Sequence, residues 1–137
     1  MRTRLSAACV GGLLVLGAMT PALAHHSFAA EFDIDRPVQL SGTVSKVEWI
    51  NPHAWIYVDV KKRDGTTENW AIETGTPNTL LRRGLKKDDL PAGTAIKVSG
   101  FQARDGTAKA NGVNVTLPDG RALQIGSLGA GAPPEQK

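Results

Sequence analysis

The stretch that decides the fold is HAWIYVDVKK, residues 53–62. Its apolar residues occupy every second position, which is the pattern of a strand with one face in a core: Ala54, Ile56, Val58 and Val60. Asp64-Gly65 follows and favours a tight hairpin turn. The next segment, residues 67–73, places Trp70 and Ile72 on one face. These two segments therefore predict an antiparallel hairpin.

The segment before this hairpin predicts a bent first strand. Two sets of apolar residues follow one another with parities that differ by one: Val38, Leu40 and Val44, then Val47 and Trp49. A parity slip beside Gly42 indicates a β-bulge. Asn51-Pro52 is a turn signal that ends the strand. The shared parity with aliphatic neighbours predicts that Trp49 and Trp70 lie in the core.

A short helix is predicted after the third strand. Thr76 is a favourable N-cap and Pro77 suits the first helical position. Leu80 and Leu81 are expected to supply its apolar contacts, and Gly84 its C-cap.

Three further strands are predicted at residues 95–101, 108–117 and 122–125, separated by the turns Asp105-Gly106 and Asp119-Gly120. The residues expected to be buried there are Ile96, Val98, Val113 and Val115. This order predicts an all-β fold: a small OB-fold-like antiparallel β-barrel with one short helix between strands 3 and 4. A small antiparallel sandwich is the alternative.

The N-terminus predicts an export signal. Arg2 and Arg4 precede an apolar stretch, residues 5–19, that is short for a membrane span of roughly 20 residues. Ala22-Leu23-Ala24 fits a signal peptidase site. We therefore expect a signal peptide over residues 1–24, cleavage between Ala24 and His25, a periplasmic or secreted product and no membrane span after cleavage. An uncleaved anchor is the alternative.

Cleavage changes what the composition means. The chain has 137 residues and a formal charge of +3, and loss of residues 1–24 with two arginines leaves 113 residues and +1. The single cysteine, Cys9, is lost as well. We expect a lead-in segment at residues 25–37, a barrel domain at 38–126 and a disordered tail at 127–137. The residual charge is too small for a nucleic-acid partner, and Asp88-Asp89 neutralises the basic residues beside it.

The three histidines are candidate metal ligands. A chain that starts at His25 offers an α-amine and an imidazole together, and His26 and His53 add further imidazoles. Amine and imidazole nitrogens suit Cu(II) and Zn(II). The alternative is that His25 and His26 are solvated at a mobile terminus and that His53 only closes a turn.

A second candidate site is the aromatic face next to the loop between strands 1 and 2. Asn51, Trp55 and Tyr57 are placed where OB barrels bind their ligands, and the two rings suit a saccharide or a partner protein. The alternative is that the N-terminal segment or the last strand covers them. No catalytic motif is present, and Glu73 and Asp59 are interpreted as solvated strand residues, so we expect no enzyme.

Several segments are specific in combination: HHSF at 25–28, NPHAW at 51–55, NW at 69–70 and ETGTP at 73–77. Together they resemble a family of small exported bacterial proteins of unknown function. The resemblance implies export and a small barrel-like domain, and it implies no catalytic residue. The leading hypothesis is an exported, non-enzymatic binding or accessory module with His25, His26 and His53 as copper or zinc ligands. An interaction domain with an aromatic face and a purely structural domain are the alternatives.

Overall fold

The structure is a computed structural model that describes residues 28–127. Within those residues the strands are β1 (Phe32–Glu48), β2 (Trp55–Lys61), β3 (Thr67–Glu73), β4 (Ala95–Ala103), β5 (Lys109–Thr116) and β6 (Ala122–Gln124). The helices are α1 (Phe28–Glu31) and α2 (Pro77–Arg82), and a 3-10 turn spans Lys87–Asp89. The predicted signal peptide, His25, His26 and residues 128–137 of the predicted tail lie outside the described residues.

Five of the strands form a closed ring in the order β1-β2-β3-β5-β4. Neighbours are antiparallel, except that β3 and β5 run parallel where Ala71 pairs with Lys109 and Glu73 with Asn111. β6 pairs antiparallel with the other end of β5. With α2 between β3 and β4, this arrangement confirms the predicted all-β, OB-like barrel.

The first strand has a β-bulge, as the parity slip predicts, but the bulge lies at Ser45 and not beside Gly42, which is regularly paired. Val44 pairs with Val58 and Lys46 pairs with Tyr57, so Ser45 is the additional residue on β1. Because successive side chains on a strand point to opposite faces, one additional residue shifts the odd–even alternation of the residues that follow it. Lys46 therefore points outward beside Tyr57.

Gly42 lies where β1 and β2 approach each other closely. A Cβ atom at this position would collide with the carbonyl oxygen of Asp59 and would lie 2.8 Å from Cγ1 of Val58. The absence of a side chain at Gly42 therefore permits the close approach of the two strands.

β1 begins at Phe32, six residues before the pattern change at Val38. Polar residues and Pro37 interrupt the alternation there, and the register against β4 shifts between Phe32 and Pro37. The extension carries a small apolar cluster of its own, in which Phe28, Phe32 and Ala103 are buried and Phe101 packs against them. This cluster attaches α1 to the outside of the barrel.

The main core fills the barrel interior, and its largest fully buried side chains include Ile56, Ile72, Leu80, Leu85 and Ile125. Trp70 is buried, as predicted. Trp49 is only half-buried, because it lies beyond the last paired residue of β1. Val113 is also half-buried, at a register shift of β5, and Leu81 is 48% exposed on the solvent side of a short helix.

All three predicted Asp-Gly turns form. Gly65, Gly106 and Gly120 adopt φ values of 85°, 76° and 89°, a region that glycine enters without a steric penalty. The aspartate before each glycine accepts a hydrogen bond from the backbone N–H two residues further on. The Arg-Asp-Gly-Thr sequence at 63–66 and 104–107 is therefore the same turn chemistry used twice.

Helix α2 closes one end of the barrel. Thr76 caps it by accepting a hydrogen bond from the backbone N–H of Thr79 at 3.1 Å, and Pro77 occupies the first turn. Leu80 is fully buried beneath it. No helix among residues 28–127 is long and apolar enough to cross a membrane.

Candidate functional site

The loop between β1 and β2 is pinned to the end of β3. The backbone N–H of Ala54 donates to the carbonyl oxygen of Gly75, and the backbone N–H of Thr74 donates to the carbonyl oxygen of Ala54. The Thr74 hydroxyl donates to that same oxygen at 2.8 Å. Thr74 is fully buried, so these bonds are shielded from water. The loop residue His53 is consequently held beside the C-terminal end of β3.

The imidazole of His53 has a defined hydrogen-bond partner. Its Nδ1 lies 2.9 Å from the carbonyl oxygen of Thr74. A carbonyl oxygen only accepts hydrogen bonds, so Nδ1 carries the proton and donates it. In the neutral ring the lone pair is then on Nε2. Metal-binding histidines are usually oriented in this way, by an N–H donated to a backbone carbonyl or a carboxylate.

Glu73 is the carboxylate nearest to this ring in the described contacts. Its Oε1 lies 3.6 Å from Nδ1 of His53, and its side chain is 11% exposed against 28% for the histidine. In the sheet Glu73 is flanked by Trp55 on β2 and by Asn111 on β5. The prediction of a solvated Glu73 is therefore wrong, because the residues of both neighbouring strands enclose it.

The aromatic pair on β2 is half-buried, and one ring is covered by a charge. The Nζ atom of Lys46 lies 4.4 Å from the centroid of the Tyr57 ring, and the Tyr57 hydroxyl donates to Oε2 of Glu48 at 3.1 Å. Lys46 Nζ also donates to Glu48 Oε1 at 2.6 Å. Because Lys46 covers the ring of Tyr57, that ring is not open for a ligand to stack on. Trp55, the other half-buried aromatic residue of β2, pairs with Glu73 of β3.

The same contacts shift the titration of the polar groups. Burial raises the pKa of Tyr57, and the hydrogen bond to Glu48 raises it further. The hydrogen bond from Lys46, followed by that from Tyr57, lowers the pKa of Glu48.

The N-terminal aromatic residues, one of the predicted covers of Trp55 and Tyr57, pack elsewhere. The ring of Phe28 contacts that of Phe101 edge-on, with 5.8 Å between the centroids.

Phe28, the first described residue, contacts a residue that lies two strands away from Glu73. The ring of Phe28 lies on Phe101 of β4, Phe101 pairs with Asn111 of β5, and Asn111 pairs with Glu73 of β3. These pairings place Glu73 two strands away from the residue that Phe28 contacts. Two further bonds hold α1 in place: Lys109 Nζ lies 3.0 Å from Glu31 Oε1, and Arg104 Nε donates to the carbonyl oxygen of Ala29 at 2.7 Å.

The structure brings only part of the predicted metal site into view. His25 and His26 lie outside the described residues, and residues 28–127 contain no group of three or more histidine, cysteine, aspartate or glutamate side chains arranged for a metal ion. His53 and Glu73 are together. Of the predicted ligand-binding residues, Asn51 is exposed in the loop, while Trp55 and Tyr57 are half-buried on β2.

Sequence reasoning missed the role of Glu73, although one signal was present. In a hairpin of β2 and β3 the start of the first strand lies beside the end of the second, so His53 and Glu73 had to be neighbours once the turn at Asp64-Gly65 was placed. A histidine and a carboxylate at that juncture indicate a polar site.

Comparison with known proteins gives one family assignment. No curated protein matches this chain, and no solved structure matches it. Residues 13–114 match the model of the family of unknown function DUF6152. That match spans well over half of the 137 residues and includes β1 to β4, His53 and Glu73. The chain therefore belongs to the DUF6152 family of unknown function.

Proposed function

We propose that this chain is an exported, non-enzymatic binding module that holds Cu(II) or Zn(II) through His53 together with His25 and His26. One observation carries the proposal: the Nδ1–H of His53 is committed to the Thr74 carbonyl oxygen at 2.9 Å. That bond places the lone pair of the neutral ring on Nε2, the form in which imidazole binds a metal.

The anchoring of α1 supports a shared site. Adjacent strands are about 4.8 Å apart, so Phe101 and Glu73, two strands apart, are separated by roughly 10 Å. Phe28 lies on Phe101, and each extended residue adds at most about 3.3–3.6 Å. The three chain steps from Phe28 to His25 span at most about 11 Å, a length comparable with this two-strand separation.

The chemistry of the predicted start supports copper or zinc. Cleavage after Ala24 would create an α-amine on His25, and an α-amine has an ordinary pKa near 8, so a metal ion can displace its proton at neutral pH. The processed chain would contain no cysteine, so nitrogen and oxygen atoms are the donors on offer. Three or more nitrogen donors suit Cu(II) above the other divalent metals of its row.

The test is a metal titration of protein whose N-terminus is confirmed by mass spectrometry to be His25. We expect one equivalent of Cu(II) in calorimetry, and at least a tenfold weaker dissociation constant for His53→Ala and for protein with an added N-terminal methionine. Asn69→Ala, on the same outer surface, is the control. A Cu(II) affinity no higher than that of a generic peptide would refute the proposal. Cell fractionation tests export separately.

A second candidate, favoured by the exposure of the loop, is an interaction domain for a protein or saccharide. Ile50 is 53% exposed, next in sequence to the exposed Asn51, and Trp55 is half-buried at the start of β2. This function predicts that Trp55→Ala abolishes partner capture while His53→Ala does not. The metal function predicts that His53→Ala weakens Cu(II) binding while Trp55→Ala does not. The same two variants therefore separate the hypotheses.

A further inference from the structure

We infer that Glu73 is a positioning residue, which acts through His53 and does not itself bind the metal. This inference rests on the proposed metal function and assigns a role to a carboxylate that lies beside one of the proposed ligands. Its basis is the contact of 3.6 Å between Glu73 Oε1 and His53 Nδ1, together with the 11% exposure of the carboxylate side chain.

The side of the ring on which Glu73 lies decides between two roles. The two nitrogens of imidazole flank Cε1 and direct their proton or lone pair away from each other, and both Thr74 O and Glu73 Oε1 lie near Nδ1. A metal ion would lie about 2 Å beyond Nε2. The carboxylate oxygen in this contact lies beside Nδ1, the nitrogen that does not bind the metal, which favours a positioning role for Glu73.

The charge of Glu73 gives the positioning role its energy. A carboxylate beside Nδ1–H stabilises that tautomer, and it also stabilises the positive charge that the ring acquires when Nε2 binds a cation. Little solvent reaches Glu73, so water screens this interaction weakly. The Thr74 carbonyl orients the ring of His53, and the carboxylate of Glu73 adds a negative charge beside Nδ1. Loss of such an outer partner commonly weakens metal binding by about 10–100-fold.

The first test needs no metal. Long-range ¹H–¹⁵N NMR of the metal-free protein reports which ring nitrogen of His53 carries the proton. The near-isosteric variant Glu73→Gln removes the charge, and we expect it to raise the fraction of the Nε2–H tautomer. Glu68→Gln, a carboxylate change on the same strand, should leave the ring unchanged. A Glu73→Gln ring indistinguishable from wild type overturns the inference.

The second test uses copper. We expect Glu73→Gln to raise the Cu(II) dissociation constant about 10–100-fold, while the electron paramagnetic resonance spectrum of the loaded protein keeps its wild-type shape. A spectrum showing that the copper ion has lost an oxygen donor would make Glu73 a ligand and overturn the positioning role. Wild-type protein that binds no copper but shows the tautomer shift would refute the proposed metal function and leave the role of Glu73 supported.

Discussion

Nη1 of Arg83 lies 2.7 Å from the carbonyl oxygen of Gly126 and 3.3 Å from that of Gln124. Arg83 is the C-cap of α2, whereas the two carbonyl groups belong to β6 and the residues after it. One side chain therefore connects the helix that closes the barrel to the last strand. This contact also satisfies carbonyl groups at an edge of the sheet, where unpaired groups invite wrong pairing.

Arg83→Ala should destabilise the protein by about 1–2 kcal/mol, because charge-assisted hydrogen bonds are worth roughly that much when partly shielded. The adjacent Arg82→Ala is the matched control, since Arg82 is exposed and reaches only the Thr79 hydroxyl, at 3.3 Å. Urea unfolding measures both. Hydrogen exchange should show faster exchange confined to β6 in the Arg83 variant. Equal unfolding midpoints for the two variants would contradict this role.

Tyr57 should titrate above its ordinary pKa of about 10. It is the single tyrosine of the chain, so tyrosinate absorbance follows it without interference. Glu48→Gln should move the pKa of Tyr57 back towards the ordinary value. It should stop short of that value, because burial is the largest cause of the shift and is retained.

The control for that titration is Glu68→Gln, which changes a carboxylate away from Tyr57 and should leave the midpoint in place. A wild-type midpoint at the ordinary value, or one insensitive to Glu48→Gln, would show that the hydroxyl and carboxylate are not hydrogen-bonded in solution.

Asp105 should stabilise the fold in a pH-dependent way. The hydroxyl and then the backbone N–H of Thr107 donate to its carboxylate and hold the pKa of Asp105 below its usual range. A lowered folded-state pKa gives stability that is present above the unfolded value of about 3.9 and is lost as the pH falls through the folded value. Asp105→Asn should therefore lower stability at neutral pH, and the difference from wild type should vanish in acid.

Urea unfolding at a series of pH values measures this effect. Asp64→Asn, in the equivalent turn, should behave alike, because Thr66 lowers the pKa of Asp64 in the same manner. Asp88→Asn, at an exposed position, serves as the comparison. A difference between Asp105→Asn and wild type that persists undiminished in acid would refute the hydrogen-bonded turn.

Gly42→Ala should destabilise the barrel by about 1–3 kcal/mol, the usual cost of forcing extra atoms into a packed site. The new Cβ meets the backbone oxygen of Asp59, and backbone cannot rotate away as a side chain can. Ser41→Ala, at the exposed neighbouring position, should change stability by less than about 0.5 kcal/mol. Denaturant midpoints compare the two, and a neutral Gly42→Ala would mean that the strands are further apart in solution.

The fold was largely predictable because its signals are local. Alternation defined β2, Asp-Gly pairs placed the turns, and Thr76-Pro77 placed the start of α2. The failures come from features that depend on distant partners. The residues between Phe32 and Val38 lack alternation. They lie in a strand because Phe32 and Pro37 pair with β4, and because Phe28 and Phe101 pack against Phe32.

The candidate site was predictable only in part, for the same reason. His53 was recognisable as a donor from its residue type. The Thr74 carbonyl that orients it is backbone, and every residue carries that group, so it has no sequence signature. The burial of Glu73 results from strands on both sides of it, which a period-two pattern within β3 does not reveal.

The bulge at Ser45 makes β1 two strands in series on one backbone. The stretch before it runs beside β4, with Leu40 and Val44 buried, and the stretch after it carries Lys46 and Glu48 on the outside. A deletion of Ser45 would bring Val44 and Lys46 next to each other in regular alternation, so every later residue would keep its present face and only the bend would be lost. The bulge thus sets the shape of β1 without deciding which side chains enter the core, whereas deletion of a regularly paired residue of β1 would exchange inside and outside for the residues beyond it.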